Sequence, residues 1–249
     1  MRAYLMVAAL VSLPRVSSFH FALQRVTPMH AVPSCGRTAY SARRTTAILA
    51  NMPSATSLEL KGELLELLTE TTNRGVGAPA ELAADILEVI SELDAEDAAD
   101  DWSNSPDLPG RWLLAYTSSK TFGNNQGLSG YARDIDGVET PELLMAIEKQ
   151  FRRMVYEEPL SLRQGSLAAM VGRFAGAKAV KIECTWAATG GALAVSSQRV
   201  VVGEQSWEPA DRQDKAVRVL SGGRPVFLDR DLLVLRSQPD YVVWVFRRT

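Results

Sequence analysis

Apolar residues recur at helical spacing in two segments between residues 58 and 100. In residues 58–73, Leu60, Leu64 and Leu68 fall on one face, which predicts an amphipathic helix that Gly75 is placed to cap. The second segment starts at Pro79, which suits a first helical position. Its apolar stripe consists of Leu82, Ile86, Val89, Ile90 and Leu93. Such a pair either caps a core or docks on a membrane surface, and its acidic polar faces argue against an anionic membrane.

Beyond residue 108 the pattern changes to alternation, which predicts half-buried β-strands. The apolar faces are formed by Trp112, Leu114 and Tyr116 in residues 111–119, and by Val180, Ile182, Cys184 and Trp186 in residues 178–188. Further short strands are predicted at residues 192–202, 216–220, 225–228, 232–236 and 241–248, separated by turn-forming residues. Two helices followed by many short strands predict an α+β fold, in which residues 108–249 form a closed or nearly closed antiparallel barrel.

Two segments between these strands follow other patterns. In residues 140–156, Thr140 can cap a helix and Pro141 can begin it. The apolar residues at helical spacing are Leu143, Leu144, Ile147, Phe151 and Val155. They predict a helix, which could lie across one mouth of the barrel. Residues 122–130 are rich in Gly and Asn and predict a mobile loop.

The charge pattern sets the first 57 residues apart from the rest. Residues 1–58 contain six arginines and no Asp or Glu, whereas the remainder carries a formal charge of −8. Arg2, an apolar stretch and a small-residue site ending at Ser18 predict a signal peptide over residues 1–18, and the basic, hydroxyl-rich residues 19–57 predict a transit peptide. Together they predict a bipartite plastid presequence. A plain secretory signal with a linker, or a one-part organelle presequence, remains an alternative.

Composition excludes several kinds of chemistry in residues 58–249. Both histidines and Cys35 lie in the predicted presequence, which leaves Cys184 as the one mature cysteine. We therefore expect no intrachain disulfide, no His-dependent catalytic triad, no catalytic residues, and no metal site or cofactor. Asp229 and Asp231 imitate a metal-binding pair, but aspartates at a strand corner more often cap the turn. The acidic charge disfavours nucleic acid as a partner.

Three motifs, in order and at suitable spacing, resemble the plastid lipid-associated protein, or fibrillin, family. The first is the leucine-rich helix that runs into the sequence Thr-Asn-Arg-Gly at 72–75. The second is Leu-Pro-Gly-Arg-Trp-Leu-Leu-Ala-Tyr-Thr-Ser-Ser at 108–119, and the third is Val-Phe-Leu-Asp-Arg-Asp-Leu at 226–232. The chain departs from the family at Leu233, where an arginine is common, and in residues 140–156, so any role tied to that arginine is in doubt. The middle of the chain resembles algal members more than plant ones.

The resemblance implies a non-enzymatic protein with a lipocalin-like barrel, located in the plastid at plastoglobules or thylakoids. Its implied partners are apolar small molecules: lipids, quinones or carotenoids. The alternative is a structural coat on plastid lipid droplets that has no specific internal ligand. Its motivation is the pair of predicted amphipathic helices at 58–73 and 140–156. Whether the barrel is hollow or fully packed stays open at this point.

Gly110-x-Trp112 is similar to the first structural motif of lipocalins, in which the indole plugs the closed end of the barrel. An arginine from the last strand usually lies over that ring, and Arg247 and Arg248 are the candidates. We therefore expect Gly110, Trp112 and one of these arginines to close the barrel. The side chains expected to line the interior and contact a ligand are Leu114, Tyr116, Ile182, Cys184, Trp186 and Trp244.

Overall fold

The structure is a computed structural model, and it describes residues 53–96, 101–162, 177–220, 222–237 and 241–249. Residues 1–52 of the proposed presequence lie outside the described residues, whereas its last predicted residues, 55–57, belong to the first helix, and the presequence stays a prediction. The two predicted helices are present as α1 (Ala55–Glu70) and α2 (Ala80–Glu96). The Ser54 hydroxyl caps α1 by accepting a hydrogen bond from the Ser57 amide at 3.0 Å. Residues Asn73–Gly75 form a short 3₁₀ turn between the helices.

The rest of the chain is dominated by strands. They are β1 (Gly110–Thr117), β2 (Val138–Glu139), β3 (Leu144–Glu148), β4 (Arg153–Pro159), β5 (Ser161–Leu162), β6 (Ala179–Thr189), β7 (Ala192–Val202), β8 (Gln205–Trp207), β9 (Gly223–Leu228), β10 (Leu232–Ser237) and β11 (Val243–Arg248). Three short helices interrupt them: α3 (Lys120–Asn125), α4 (Tyr131–Asp134) and α5 (Asp211–Leu220). A further 3₁₀ turn, Trp102–Asn104, precedes β1.

Eight strands close into an antiparallel barrel in the order β6-β4-β3-β1-β11-β10-β9-β7, and β7 pairs back with β6. The β6–β7 hairpin has the longest ladder, while β7 meets β9 at one register pair, Leu193 with Gly223. Strand β8 pairs antiparallel with the end of β7, and β2 pairs with β5 in a separate two-stranded sheet. The predicted α+β class, a helical pair followed by an antiparallel barrel, is confirmed.

Buried apolar side chains form two groups on opposite faces of this sheet. The inner cluster fills the barrel and includes Trp112, Leu114, Ile182, Trp244 and Phe246. The outer cluster joins the apolar stripes of α1 and α2, such as Leu64 and Ile90, to outward-facing side chains of β9, β10 and β11. The helical pair therefore covers one outer wall of the barrel.

Salt bridges connect the two helices to the ends of β9 and β10 and to the corner between these strands. Asp94 of α2 pairs with Arg236 at 3.2 Å and also with Arg224. Lys61 of α1 lies 2.5 Å from Asp229. The other oxygen of Asp229 accepts hydrogen bonds from the amides of Asp231 and Leu232, both at 2.8 Å. The Asp229–Asp231 segment is thus a capped strand corner, as expected.

The predicted helix at residues 140–156 is wrong. These residues form strands β3 and β4, joined by a tight turn in which Arg152 has a φ of 47°. Met145 pairs with Tyr156, and both point into the inner cluster. The Thr140 hydroxyl does not cap a helix but donates to the carbonyl of Gln126 at 2.7 Å. Apolar residues on both faces of β3 and β4 imitated helical spacing.

Two smaller predictions also need correction. Residues 216–220 are not a strand but the last turns of α5, where Ala216, Val217 and Leu220 turn their apolar side chains toward the inner cluster. Their spacing of one and three residues fits a helix better than a strand. The predicted loop at residues 122–130 begins inside α3, whose first turn is capped by the Ser119 hydroxyl.

Candidate functional site

One end of the barrel is closed by Trp112 and Arg248. The indole of Trp112 is fully buried and its Nε1 donates to the carbonyl of Leu108 at 3.1 Å. The guanidinium carbon of Arg248 lies 4.3 Å from the centroid of the Trp112 ring. Arg248 also donates to the Pro109 carbonyl at 2.9 Å and to the carbonyls of Asp107 and Arg230. A cation on the indole face that also binds three carbonyls locks the last strand to the chain entering β1.

Gly110 leaves the space that the Arg248 guanidinium needs to lie over the Trp112 ring. Its φ is +148°, and a Cβ added there would lie 2.1 Å from Nη1 of Arg248. Any side chain would displace the guanidinium from the indole. Arg247, the other candidate for this contact, is exposed, and its neighbours across the sheet are Leu113 and Leu232.

The structure brings five of the six expected interior residues together in the inner cluster. They are Leu114, Ile182, Cys184, Trp186 and Trp244. Trp186 lies toward the closed end, where its Nε1 donates to the Glu148 carbonyl at 3.3 Å. The part these residues play in ligand binding remains a prediction.

Tyr116 does not point inward. The β1–β11 register shifts between Leu114 and Tyr116, so that Ala115 is an extra residue in the strand. Such a bulge reverses the alternation of side chains beyond it. Tyr116 therefore joins the outer cluster beneath the helical pair, while Leu114 remains inside. The expectation that Leu114 and Tyr116 share the interior is wrong for Tyr116.

Two polar atoms inside the barrel have no hydrogen-bond partner among the described residues: the hydroxyl of Tyr156 and Nε1 of Trp244. Both side chains belong to the inner cluster and are 1% exposed. Burial raises the pKa of the Tyr156 hydroxyl well above its usual value, and the Cys184 thiol adds to this effect. Tyr156 is therefore a neutral hydroxyl. Sequence reasoning missed it because residues 140–156 were assigned to a helix.

Phe122 of α3 lies at the open mouth of the barrel. Its ring meets that of Trp244 edge-on, with centroids 5.8 Å apart and an angle of 89°. The guanidinium carbon of Arg74 lies 5.0 Å from the centroid of the same Phe122 ring. Phe122 thus separates a buried indole inside the barrel from an arginine at its rim.

A cleft of about 260 Å³ opens beside this arginine. Its lining includes Arg74, Val76, Phe122, Gln126, Thr140 and Pro141. Arg74 is held in the left-handed region, with φ 58° and ψ 33°, within the 3₁₀ turn between the two helices. The cleft therefore lies where the helical pair meets the barrel mouth.

Glu158 is buried under the loop that borders the same mouth. Its side chain is 2% exposed, and its two oxygens accept hydrogen bonds from the amides of Leu128 and, at 2.9 Å, Ser129. Burial raises the pKa of this carboxyl group, while the bonds from Ser129 and Leu128 and the charge of Arg74 oppose that rise. Gly127 lets the backbone of this loop pass close to the Glu158 carboxylate, since a Cβ at Gly127 would lie 2.6 Å from Oε1 of Glu158.

Cys184, which is buried in the inner cluster, is not activated as a nucleophile. Burial raises the pKa of the Cys184 thiol to about 12, with smaller effects from Asp214 and Glu183. The thiol is therefore protonated at neutral pH and a poor nucleophile. Within the described residues no group of three or more His, Cys, Asp or Glu side chains is arranged to hold a metal ion. Across those residues no helix has the length and apolar character needed to span a bilayer.

A family model agrees with the first two of the three sequence motifs. The model of the family PAP_fibrillin matches residues 58–129. Among solved structures, the chain is similar to a DUF4847 family protein from Bacteroides vulgatus ATCC 8482, at 12% identity and a TM-score of 0.29. That match covers 58% of this chain and 95% of the other. No curated protein matches the sequence.

The matched segment contains the helical pair, the Arg74 turn, the Gly110-x-Trp112 strand and Phe122. It therefore includes the glycine and the indole of the closed end, but not Arg248, and part of the barrel mouth. The resemblance to the plastid lipid-associated proteins, or fibrillins, that the sequence predicts is confirmed over residues 58–129, where the family model matches.

Proposed function

We propose that this protein binds an apolar small molecule, a lipid, a quinone or a carotenoid, in the barrel interior, and acts at plastoglobules or thylakoids inside the plastid. The observation that carries the proposal is a pair of buried polar atoms, the Tyr156 hydroxyl and Trp244 Nε1, which have no partner among the described residues of an otherwise apolar interior. Ligand sites commonly combine an apolar lining with a few polar groups of this kind.

Leaving these groups unpaired is costly, at about 1–3 kcal/mol for each buried polar atom. The indole N–H and the neutral phenol could each donate a hydrogen bond to an oxygen of a bound ligand. Quinones, oxygenated carotenoids and acyl lipids all carry such an oxygen on an apolar body. The site therefore favours an apolar molecule with at least one hydrogen-bond acceptor.

The test is to purify the full chain, extract it with organic solvent and analyse the extract by mass spectrometry. We expect an apolar ligand in the wild type, and about threefold to tenfold less in the double variant Tyr156→Phe/Trp244→Phe, because two hydrogen bonds are lost. Tyr241→Phe is the control, since Tyr241 is 62% exposed. Recovery of no prenyl lipid, quinone, carotenoid or acyl lipid above buffer controls contradicts the proposal.

A structural coat on lipid droplets is the second candidate, and the structure changes its basis. The apolar faces of α1 and α2 are buried in the outer cluster, and residues 140–156 are not a helix. The feature that supports surface binding is instead Phe151, which is 70% exposed in the turn between β3 and β4. Lys149, Arg152 and Arg153 flank it. An exposed aromatic ring among cations suits an anionic lipid surface.

This second candidate is tested by flotation of the full chain with phosphatidylcholine vesicles, with and without phosphatidylglycerol. Phe151→Ser is expected to weaken binding to the anionic vesicles about tenfold, because the variant has no phenyl ring to bury in the lipid surface. Leu58→Ser, on the 51% exposed Leu58 of α1, is the matched control and should have little effect. If the two variants float equally well, the turn is not the contact surface.

A further inference from the structure

The cleft at the barrel mouth contains an arginine whose hydrogen-bonding capacity is largely unused. Nε and Nη1 of Arg74 are buried and find no acceptor among the residues that the structure describes. Nη2 makes one long contact, 3.3 Å, with the side-chain oxygen of Asn73. The guanidinium instead lies over the Phe122 ring, with its carbon 5.0 Å from the ring centroid. It is thus fixed in place without an anionic partner in hydrogen-bonding contact.

The neighbouring carboxylates do not serve as hydrogen-bonding partners of Arg74. Glu158 and Glu142 interact with Arg74 only through their charge. Both oxygens of Glu158 are already used by the amides of Leu128 and Ser129. Burial lowers the pKa of Arg74, and the two carboxylates only partly offset that effect. The guanidinium has lost water and gained no oxyanion in return, although arginine is the side chain best suited to bind carboxylate or phosphate.

We propose that the Arg74 cleft binds the oxyanion head group, a carboxylate or a phosphate, of an amphipathic ligand whose apolar tail passes Phe122 into the barrel. The cleft, at about 260 Å³, is large enough for a head group but small for a whole lipid. Its inner wall is the Phe122 ring, and the Trp244 indole lies directly behind that ring. A tail that displaced Phe122 would enter the inner cluster. The tail, though not the head group, rests on the function proposed above.

The experiment compares three ligands that share one tail and differ in the head: oleate, oleyl phosphate and oleyl alcohol. Each competes with the fluorescent acid cis-parinarate for the full chain at neutral pH. Arg74→Gln removes the charge, and Arg74→Lys keeps the charge but not the planar donors. The matched control is Arg133→Gln, because Arg133 is another arginine near the mouth, is 44% exposed and already pairs with Asp134. Far-ultraviolet circular dichroism checks that each variant is folded.

We expect at least one of the two oxyanions to bind the wild type about tenfold more tightly than the alcohol, and Arg74→Gln to abolish that preference. Arg133→Gln should preserve the preference, and Arg74→Lys should retain part of it. Comparing the affinities of oleate and oleyl phosphate shows whether the cleft prefers a carboxylate or a phosphate.

Equal binding of all three ligands, unchanged by Arg74→Gln, overturns the head-group site and leaves the lipid-binding function standing. If none of the three binds the wild type, the function proposed for the barrel fails for acyl ligands, and the head-group site fails with it. The alcohol therefore separates the two failures, because it needs the interior but not Arg74.

Discussion

Replacing Trp112 with alanine is expected to lower the free energy of unfolding by about 3–5 kcal/mol, the largest single effect that we predict in the barrel. The indole is fully buried, and the strand that carries it is paired on both sides, with Met145 and Arg248 as its neighbours across the sheet. A hydrogen-bonded wall of this kind cannot move inward to fill the space. Arg248 would also lose the ring on which it rests, worth about 0.5–2 kcal/mol.

The measurement is equilibrium unfolding in urea followed by far-ultraviolet circular dichroism, because loss of an indole alters the fluorescence signal. Trp207→Ala is the matched control: Trp207 lies in β8, outside the eight barrel strands, and is only partly buried where it packs against the inner cluster. We expect it to cost about 1–2 kcal/mol, less than Trp112→Ala, because part of the ring is already exposed to solvent. A loss for Trp112→Ala no greater than that of the control would show that the indole does not close the barrel.

The closed end of the barrel could be predicted from the sequence because its parts are local. Gly110 and Trp112 are two residues apart, and their motif already implied an arginine from the last strand. What the sequence left open was the choice between Arg247 and Arg248. The structure decides it through strand alternation, because side chains of adjacent strand residues point to opposite faces. Arg248 meets the indole and Arg247 faces solvent.

The hydrophobic pattern predicted the wrong secondary structure where short strands carry apolar residues on both faces. In β3 and β4, Met145 and Tyr156 face the interior, while Leu144 and Val155 lie half-buried on the outside. The resulting apolar series has helical spacing by coincidence. The prediction for Tyr116 failed for another reason. The bulge at Ala115 is set by pairing with β11, which lies more than a hundred residues later in the chain. Alternation within a strand cannot reveal a register shift.

The mouth of the barrel could not be predicted because its contacts are distant in sequence. Arg74 reaches Phe122, and Phe122 reaches Trp244. Glu158 is bound by amides some 30 residues earlier in the chain. No residue in this group stands out by composition. Phe122 lies in a segment whose pattern predicts a loop, and Glu158 lies just beyond the predicted helix at residues 140–156. The Thr-Asn-Arg-Gly motif contributes to the family resemblance, but the role proposed for its arginine rests on three-dimensional contacts that the sequence does not reveal.

Gly75→Ala is expected to lower the free energy of unfolding by about 3 kcal/mol, because it combines backbone strain with overpacking. Gly75 has a φ of +81°, which is unfavourable for alanine, and a Cβ there would lie 2.3 Å from Cδ2 of Tyr116. The Tyr116 ring is 1% exposed and belongs to the outer cluster, so it has little room to withdraw. The clash has to be relieved by moving the turn that joins the two helices.

Gly77→Ala is a closely matched control for this variant. Gly77 has nearly the same φ, +80°, but nothing lies within 4 Å of a Cβ added there. It should therefore show the cost of backbone strain alone, about 1–2 kcal/mol. Urea unfolding of both variants separates the clash from the strain, and equal losses would rule out the contact with Tyr116. Because Arg74 precedes Gly75 in the same turn, a displaced turn should also reduce the preference for oleate over oleyl alcohol, whereas Gly77→Ala should leave that preference unchanged.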